Sequence, residues 1–408
     1  MMTICCALLG LIGSVSLLQA SEDPRLDGIL HAFDQREARN GAQEAHEEWI
    51  ASEAGKADLT YLTEHYDQLT LQRRDEVPME LARSGALAVV PLIKKALADS
   101  AGQGVVTGIY FAIRLNKPEP GFNKEVMAAL LPLLEKNGTV LELFPTLDPE
   151  MAKATLLTDA WISPDSTRAR EVVIAFNQAG VALPIERLRP LLAAWKKPTD
   201  AGKKWDLRRY GEVLVALARL ESTEAIAKAD ECVASDPAQS DSVADVYLAA
   251  AGLGTLSDKL GDLINWSNDQ IKVERNLSKL PKPAQLYFAV GYFDADWMNG
   301  GLSQALSNTT GNLLPLAREG YKEIGDEVAL QYLERACATF GPDGPSTDRG
   351  KRNDQMEQMK PSFYDREKAW DNEPDSEISR KPHVPTAVLL NRYAARHADV
   401  LKPLLSKP

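Results

Sequence analysis

The sequence predicts an all-α protein, and three observations carry that expectation. Apolar residues recur at helical spacing: Tyr210, Val213, Leu214 and Leu217 share one face, as do Ala329, Tyr332, Leu333, Ala336 and Phe340. Alternation of the strand kind is scarce. The Asn-Gly pairs that would mark tight hairpins, Asn137-Gly138 and Asn299-Gly300, both follow helical patterns, where a left-handed glycine ends a helix. The chain has 408 residues, enough for two or three domains, and its 44% apolar and 25% charged content is that of an ordinary globular protein.

Taken in order, residues 1–20 read as a signal peptide. The run from Ile4 to Leu18 is uncharged and mostly apolar, too short for a comfortable membrane span, and Ala20 offers the small residue after which cleavage is expected. This predicts a periplasmic or secreted chain with no transmembrane segment after processing; Cys5 and Cys6 would leave with the peptide. Residues 21–78 form a polar helical lead-in, and its charged run around Glu44 to Glu53 is a solvated helix face.

From 79 to 280, short apolar helices recur between breakers. Pro91-Leu92-Ile93, Pro132-Leu133-Leu134 and Pro190-Leu191-Leu192 each sit within one; the first two are 41 residues apart and the third follows after 58. Met79 to Ser100, with Ala82, Ala86, Val89, Val90, Ile93 and Leu97, has the pattern of a helix pair. This region resembles HEAT-type repeats, whose period is roughly 40–47 residues. The resemblance implies an irregular α-solenoid scaffold; an irregular helical domain is the alternative. Residues 266–283 read as a linker or a last helix ending at Pro281 and Pro283.

Residues 281–408 hold the most informative stretch, from Tyr287 to Phe340. An aromatic helix, Tyr287-Phe288-Ala289-Val290-Gly291-Tyr292-Phe293-Asp294-Ala295-Asp296-Trp297-Met298, runs into Asn299-Gly300-Gly301. Glycine supplies the positive φ that closes a helix, so a stop is predicted there. A short helix then carries Gln304, and Asn308 and Gly311 end it. Pro315 suits the first turn of the next helix, Gly325 ends that one, and Asp326 caps another. Short antiparallel helices with tight turns bring Asn299, Gln304 and Asn308 near one another. The amides have two readings: they lock turns by bonding backbone groups, or they form a partner-binding surface.

This ordered set resembles the C-terminal domain of the family named for a bacterial DNA-mimic protein. The resemblance implies a compact helical domain that works by binding protein. Its candidate interaction residues here are Asp294, Asp296, Asn299, Gly300, Gly301, Gln304 and Asn308. The founding member presents an acidic surface that imitates DNA. In this chain residues 281–408 carry 16 basic and 18 acidic side chains, a net of −2, whereas the whole chain is at −12. A negative chain lacks the positive field that phosphate binding needs, so direct nucleic-acid binding is not expected. An exported protein-interaction protein with an unidentified protein partner is the first reading. A true DNA mimic that sequesters a DNA-binding protein is the second, and an undetected hydrolase the third. Residues 341–362, rich in Gly, Pro, Asp and Lys, should form a long mobile loop, and Asp371 to Pro385 a similar one. A final helix, about Thr386 to Leu405, should bury Leu389, Tyr393, Val400, Leu401 and Leu404.

No reactive constellation is legible, and no catalytic residue, metal or cofactor is expected. The histidines are His31, His46, His65, His383 and His397, none at a metal-ligand spacing. His46-Glu47-Glu48 begins like a zincin helix, but Ile50 stands where the second ligand belongs. No phosphate-cradling loop and no Gly-flanked serine elbow occur. Asp294 and Asp296, two apart on a helix, point to different faces. Cys232 and Cys337 remain after the leader; export permits a disulfide, and their apolar settings equally suit two buried thiols.

Overall fold

The computed structural model describes residues 23–38, 41–99, 104–115, 118–195, 205–265, 270–371 and 383–406. The expected signal peptide lies outside these residues, as does most of the 371–385 segment. Among the described residues the chain is built of 23 α-helices joined by turns and short 3-10 segments, with no strand. The all-α class is as the periodicity predicts.

The chain divides into two compact units, at Val181/Ala182. In the first, the helices are α1 (Pro24–Glu37), α2 (Ala42–Ala51), α3 (Glu53–Glu64), α4 (Leu71–Ala82), α5 (Val90–Ala98), α6 (Val105–Leu115), α7 (Phe122–Leu130), α8 (Gly138–Leu147), α9 (Pro149–Leu156) and α10 (Ala169–Ala179). Several start where local chemistry favours it. The Asp23, Ser52, Thr70, Asn137 and Asp148 side chains accept first-turn amides, and Pro91 and Pro149 sit where no amide is needed. The helices pack on near neighbours in sequence: α4 on α6, α5 on α7, α8 on α10. Leu81, Ile93, Ile109, Phe122, Phe144 and Phe176 are sealed between them.

In the second unit the helices are α11 (Ile185–Trp195), α12 (Trp205–Ala218), α13 (Ser222–Ser235), α14 (Ala244–Ala250), α15 (Leu256–Ile264), α16 (Gln270–Leu277), α17 (Lys282–Ser307), α18 (Leu314–Ile324), α19 (Glu327–Ala338), α20 (Arg349–Glu357), α21 (Phe363–Asp371), α22 (Thr386–Arg396) and α23 (Ala398–Leu405). The long aromatic α17 is the spine. Helices α15, α18, α20, α21, α22 and α23 all pack against it, and one apolar core runs from Leu248 through Phe293 and Tyr321 to Leu404.

Several expectations need correction. The helices on either side of 280 share the compact unit that starts at Ala182. Helix α22 seats on α14, where the buried Asn391 Nδ2 donates to the Ala244 carbonyl at 3.1 Å and Asn391 Oδ1 accepts from the Tyr287 hydroxyl at 3.3 Å. A buried amide satisfied from both sides ties the C-terminal helices to those before 280. Asn137-Gly138 starts a helix rather than ending one, because the Asn137 side chain caps the Thr139 and Val140 amides. The stretch 341–362 is not all loop: α20 forms inside it around a fully buried Arg352, capped by Asp348. The final helix breaks at His397, and Val400, 36% exposed, is not a core residue. Cys337 is buried, where desolvation pushes its thiol up to about 11, and Cys232 is half-buried. No disulfide joins them.

Candidate functional site

The aromatic half of α17 follows directly from its sequence. Tyr287, Phe288, Val290 and Phe293 are buried, and Trp297 meets Phe293, Tyr321 and Tyr332 edge-on at ring separations of 6.0 to 6.4 Å. Trp297 and Tyr292, the latter stacked on Phe288, are partly buried and pack against the core. The helix then breaks where two glycines permit it. Gly300 has φ −156°, and Gly301, at φ 81° and ψ 175°, takes a conformation essentially closed to other residues. The second part, 302–307, leaves in a new direction.

Asp296 closes the break from one side. Its Oδ2 accepts from Asn308 Nδ2 at 3.1 Å and from the Thr310 hydroxyl, fastening the end of the 302–307 helix and the Thr309–Leu313 turn back to the aromatic helix. Gln304 lies over Gly300 so closely that a Cβ there would stand 2.0 Å from its Oε1. Asp296, Asn308 and Thr310 together act as a lock across the break. Asn299, in contrast, is exposed.

Two further side chains complete the arrangement from beyond the motif. Glu367 of α21 accepts the Leu302 amide and, at 3.0 Å, the Ser303 amide, so a carboxylate sits on the N-terminus of the 302–307 helix. Arg352 of α20 sits at the other end. Its guanidinium donates to the carbonyls of Leu306, Ser346 (2.6 Å) and Asn308 (2.9 Å) and to Asn312 Oδ1 (3.0 Å). An anion at the amino end and a cation at the carboxyl end is the arrangement that complements a helix dipole. Burial pushes the guanidinium down to about 10, so it remains charged at neutral pH. Gly311 is packed against it, since a Cβ there would lie 2.6 Å from Nη2. Nothing in the local spacing pointed to Arg352 or Glu367.

Asp294 faces another way. It accepts from the Tyr321 hydroxyl at 3.4 Å, and desolvation, with Asp326 beside it, pushes its carboxyl up to about 6. Asp326 caps α19 through the Ala329 amide at 2.9 Å, while its second oxygen accepts from the Thr386 hydroxyl at 2.7 Å. The two motif carboxylates thus face different helices and do not converge on one point.

What remains outward-facing is the tip of the break. Met298 is 81% exposed, beside exposed Asn299 and Gly300. Tyr364, 61% exposed, stands on the same helix as Glu367. Among the described residues no group of three or more His, Cys, Asp or Glu could hold a metal ion, and no helix is long and apolar enough to cross a membrane. In the N-terminal unit His46 is buried with its Nε2 2.5 Å from Glu37 Oε1, and it faces Phe33.

The family model for DMP19-like proteins matches residues 278–397, which covers the whole of this arrangement from the start of α17 to the end of α22. No curated protein and no solved structure is detectably similar to the chain.

Proposed function

We propose that the DMP19-like region binds a protein partner through the tip of the α17 break, and that the chain is an exported, non-enzymatic interaction protein. The observation that carries this reading is Met298, a large apolar side chain standing 81% exposed on a turn locked from beneath by Asp296, Asn308 and Thr310. Exposed apolar side chains scattered singly are unremarkable, but one on a pre-ordered turn loses little freedom on binding. The helices before the DMP19-like region serve as scaffold in this reading, with HEAT-like pairs in the stretch from 79 onward.

The carboxylates of the motif favour a protein surface over imitation of DNA. Asp296 is spent on Asn308 and Thr310, and Asp294 faces Tyr321. A phosphate mimic needs its negative charges free and in a row along the surface. Here they are turned inward.

The test uses the mature-length chain as bait against an envelope extract, followed by reconstitution of any stoichiometric complex from purified components. A 1:1 complex that duplex DNA does not displace is the expected result. Displacement by DNA would support mimicry instead. The absence of any stoichiometric complex, or a catalytic turnover of the captured molecule, would overturn the proposal.

A further inference from the structure

We propose that a groove in the first unit binds a short segment of a partner protein in which a lysine or arginine stands beside an apolar residue. The groove encloses about 660 Å3 between two walls. One wall is helical: Glu47, Ile50 and Ala51, at i, i+3 and i+4 on α2, with Lys56 of α3. The other is the turn between α4 and α5, which presents Leu87 and Ala88, with Glu119 beside them. None of these residues belongs to the α17 tip, so the proposal stands apart from that surface.

The turn wall is held in place by its own bonds. The Glu119 amide donates to the Gly85 carbonyl at 3.0 Å, and the Leu87 amide donates to Glu119 Oε2 at 2.8 Å. Ser84 Oγ accepts from the Ala86 amide at 3.2 Å. Gly85 takes φ 65°, and a Cβ there would stand 2.8 Å from Pro118 Cα. A turn fixed at these points cannot fold Leu87 away, and it leaves that side chain 39% exposed. An apolar group held in this way loses little freedom when a guest covers it.

The charges decide what the guest is. Glu47 accepts from Gln43 Nε2 at 2.7 Å, and Glu119 accepts from a backbone amide. Both donors are neutral, so each carboxylate keeps its full negative charge, one on either wall. The one cation of the lining, Lys56, stands 2.9 Å from Glu53 Oε1, and Glu53 does not line the groove. From Ala42 to Glu53 the chain carries Glu44, Glu47, Glu48 and Glu53 and no lysine or arginine, which deepens the negative field over the helical wall. An anionic guest would be repelled here. A wholly apolar one would strip water from two carboxylates and return nothing. Lysine and arginine answer both requirements: the methylene stem lies along Ala51, Leu87 and Ala88 while the charged head reaches Glu47 or Glu119. An adjacent apolar side chain covers what remains of Leu87. The volume is within the roughly 300–1,000 Å3 of binding clefts and has room for a few side chains.

A random dodecapeptide library displayed on phage tests this against the full chain. The library is first cleared on the double variant Glu47→Gln with Glu119→Gln, and then selected on the wild type. Glutamine keeps an acceptor for the Leu87 amide, so the variant should melt with the wild type. Enriched peptides should share a lysine or arginine next to an apolar residue. A labelled synthetic copy of one should bind the double variant about tenfold more weakly than the wild type and Leu87→Ala about fivefold more weakly. Glu323→Gln with Glu357→Gln removes the same charge from two exposed positions of the second unit and should bind as the wild type does. No enrichment, enriched peptides without a cation, or wild-type binding in Leu87→Ala would overturn the proposal. An equal loss in the Glu323 and Glu357 pair would also overturn it, because the attraction would then belong to the acidic chain at large. If sedimentation shows a wild-type dimer that the Glu47 and Glu119 variant dissociates, the occupant is a second copy and the proposal fails.

Discussion

A guanidinium with no exposed surface must find acceptors on every side, and Arg352 finds them in three backbone carbonyls and one side-chain amide. None of these is a carboxylate, so the charge is held by oriented dipoles, chiefly those at the end of the 302–307 helix. Arg352→Met should cost about 2–4 kcal/mol, because four acceptors lose their donor at once. Denaturant unfolding would measure it. A loss under about 1 kcal/mol would show that water replaces the side chain and that the charge is not structural. Asp296→Ala should cost about 1–3 kcal/mol by releasing Asn308 and Thr310, whereas Asn299→Ala, exposed at the tip, should leave stability within about 0.5 kcal/mol. At this scale the sequence was half legible. Asn308 was among the amides that the spacing offered either as turn locks or as a binding surface, and its Nδ2 donates to Asp296. Arg352 and Glu367 did not stand out, because they reach the motif from 44 and 64 residues further along the chain, and no local period encodes such a pairing.

The elements were more readable than their joints. Between Lys282 and Ala338 three helix ends fall at the residues that capping chemistry selects: Pro315 in a first turn, Gly325 as a left-handed cap, Asp326 as an N-cap. The misread joints were those where one residue can serve two purposes. Asn137 before Gly138 suits a helix end or a helix start, and only the segment that follows decides. The stretch 341–362 looked like loop because α20 has almost no apolar face of its own; its order rests on Arg352 and the Asp348 cap, a polar anchorage that hydrophobic periodicity does not report. The α17 break makes a sharp prediction. In Gly301→Ala the new Cβ would meet Glu367 Oε1 at 2.7 Å on a backbone of φ 81°, so both terms are unfavourable. A loss of about 2–3 kcal/mol is expected, with faster exchange of the Leu302 and Ser303 amides as Glu367 is pushed away. Unchanged exchange at those amides would mean that Glu367 does not hold them.

At the scale of the whole molecule, the DMP19-like match and the folding unit have different limits. The match begins at 278, but the compact unit begins at Ala182. The reason lies in α22. Asn391 reaches the Ala244 carbonyl, and Arg392 donates to Asp230 at 2.5 Å and to the Tyr247 hydroxyl at 2.9 Å while its guanidinium stands 4.9 Å from the Tyr247 ring centroid. A fragment of residues 278–406 would expose that seat. It should unfold with a broad, weakly cooperative transition, whereas 182–406 should unfold as sharply as a single domain; circular dichroism against denaturant distinguishes them. The sequence could not place this boundary, because Pro281 and Pro283 look like a linker while the contacts that erase the division lie more than a hundred residues apart.

The most direct measurement is the affinity of a reconstituted complex for Met298→Glu and Asn299→Ala chains, set beside their melting temperatures. If the locked tip is where a protein partner sits, Met298→Glu weakens binding by about tenfold or more, since a charge would be carried into an apolar contact, and melting stays unchanged. Binding equal to wild type in both variants would contradict the account.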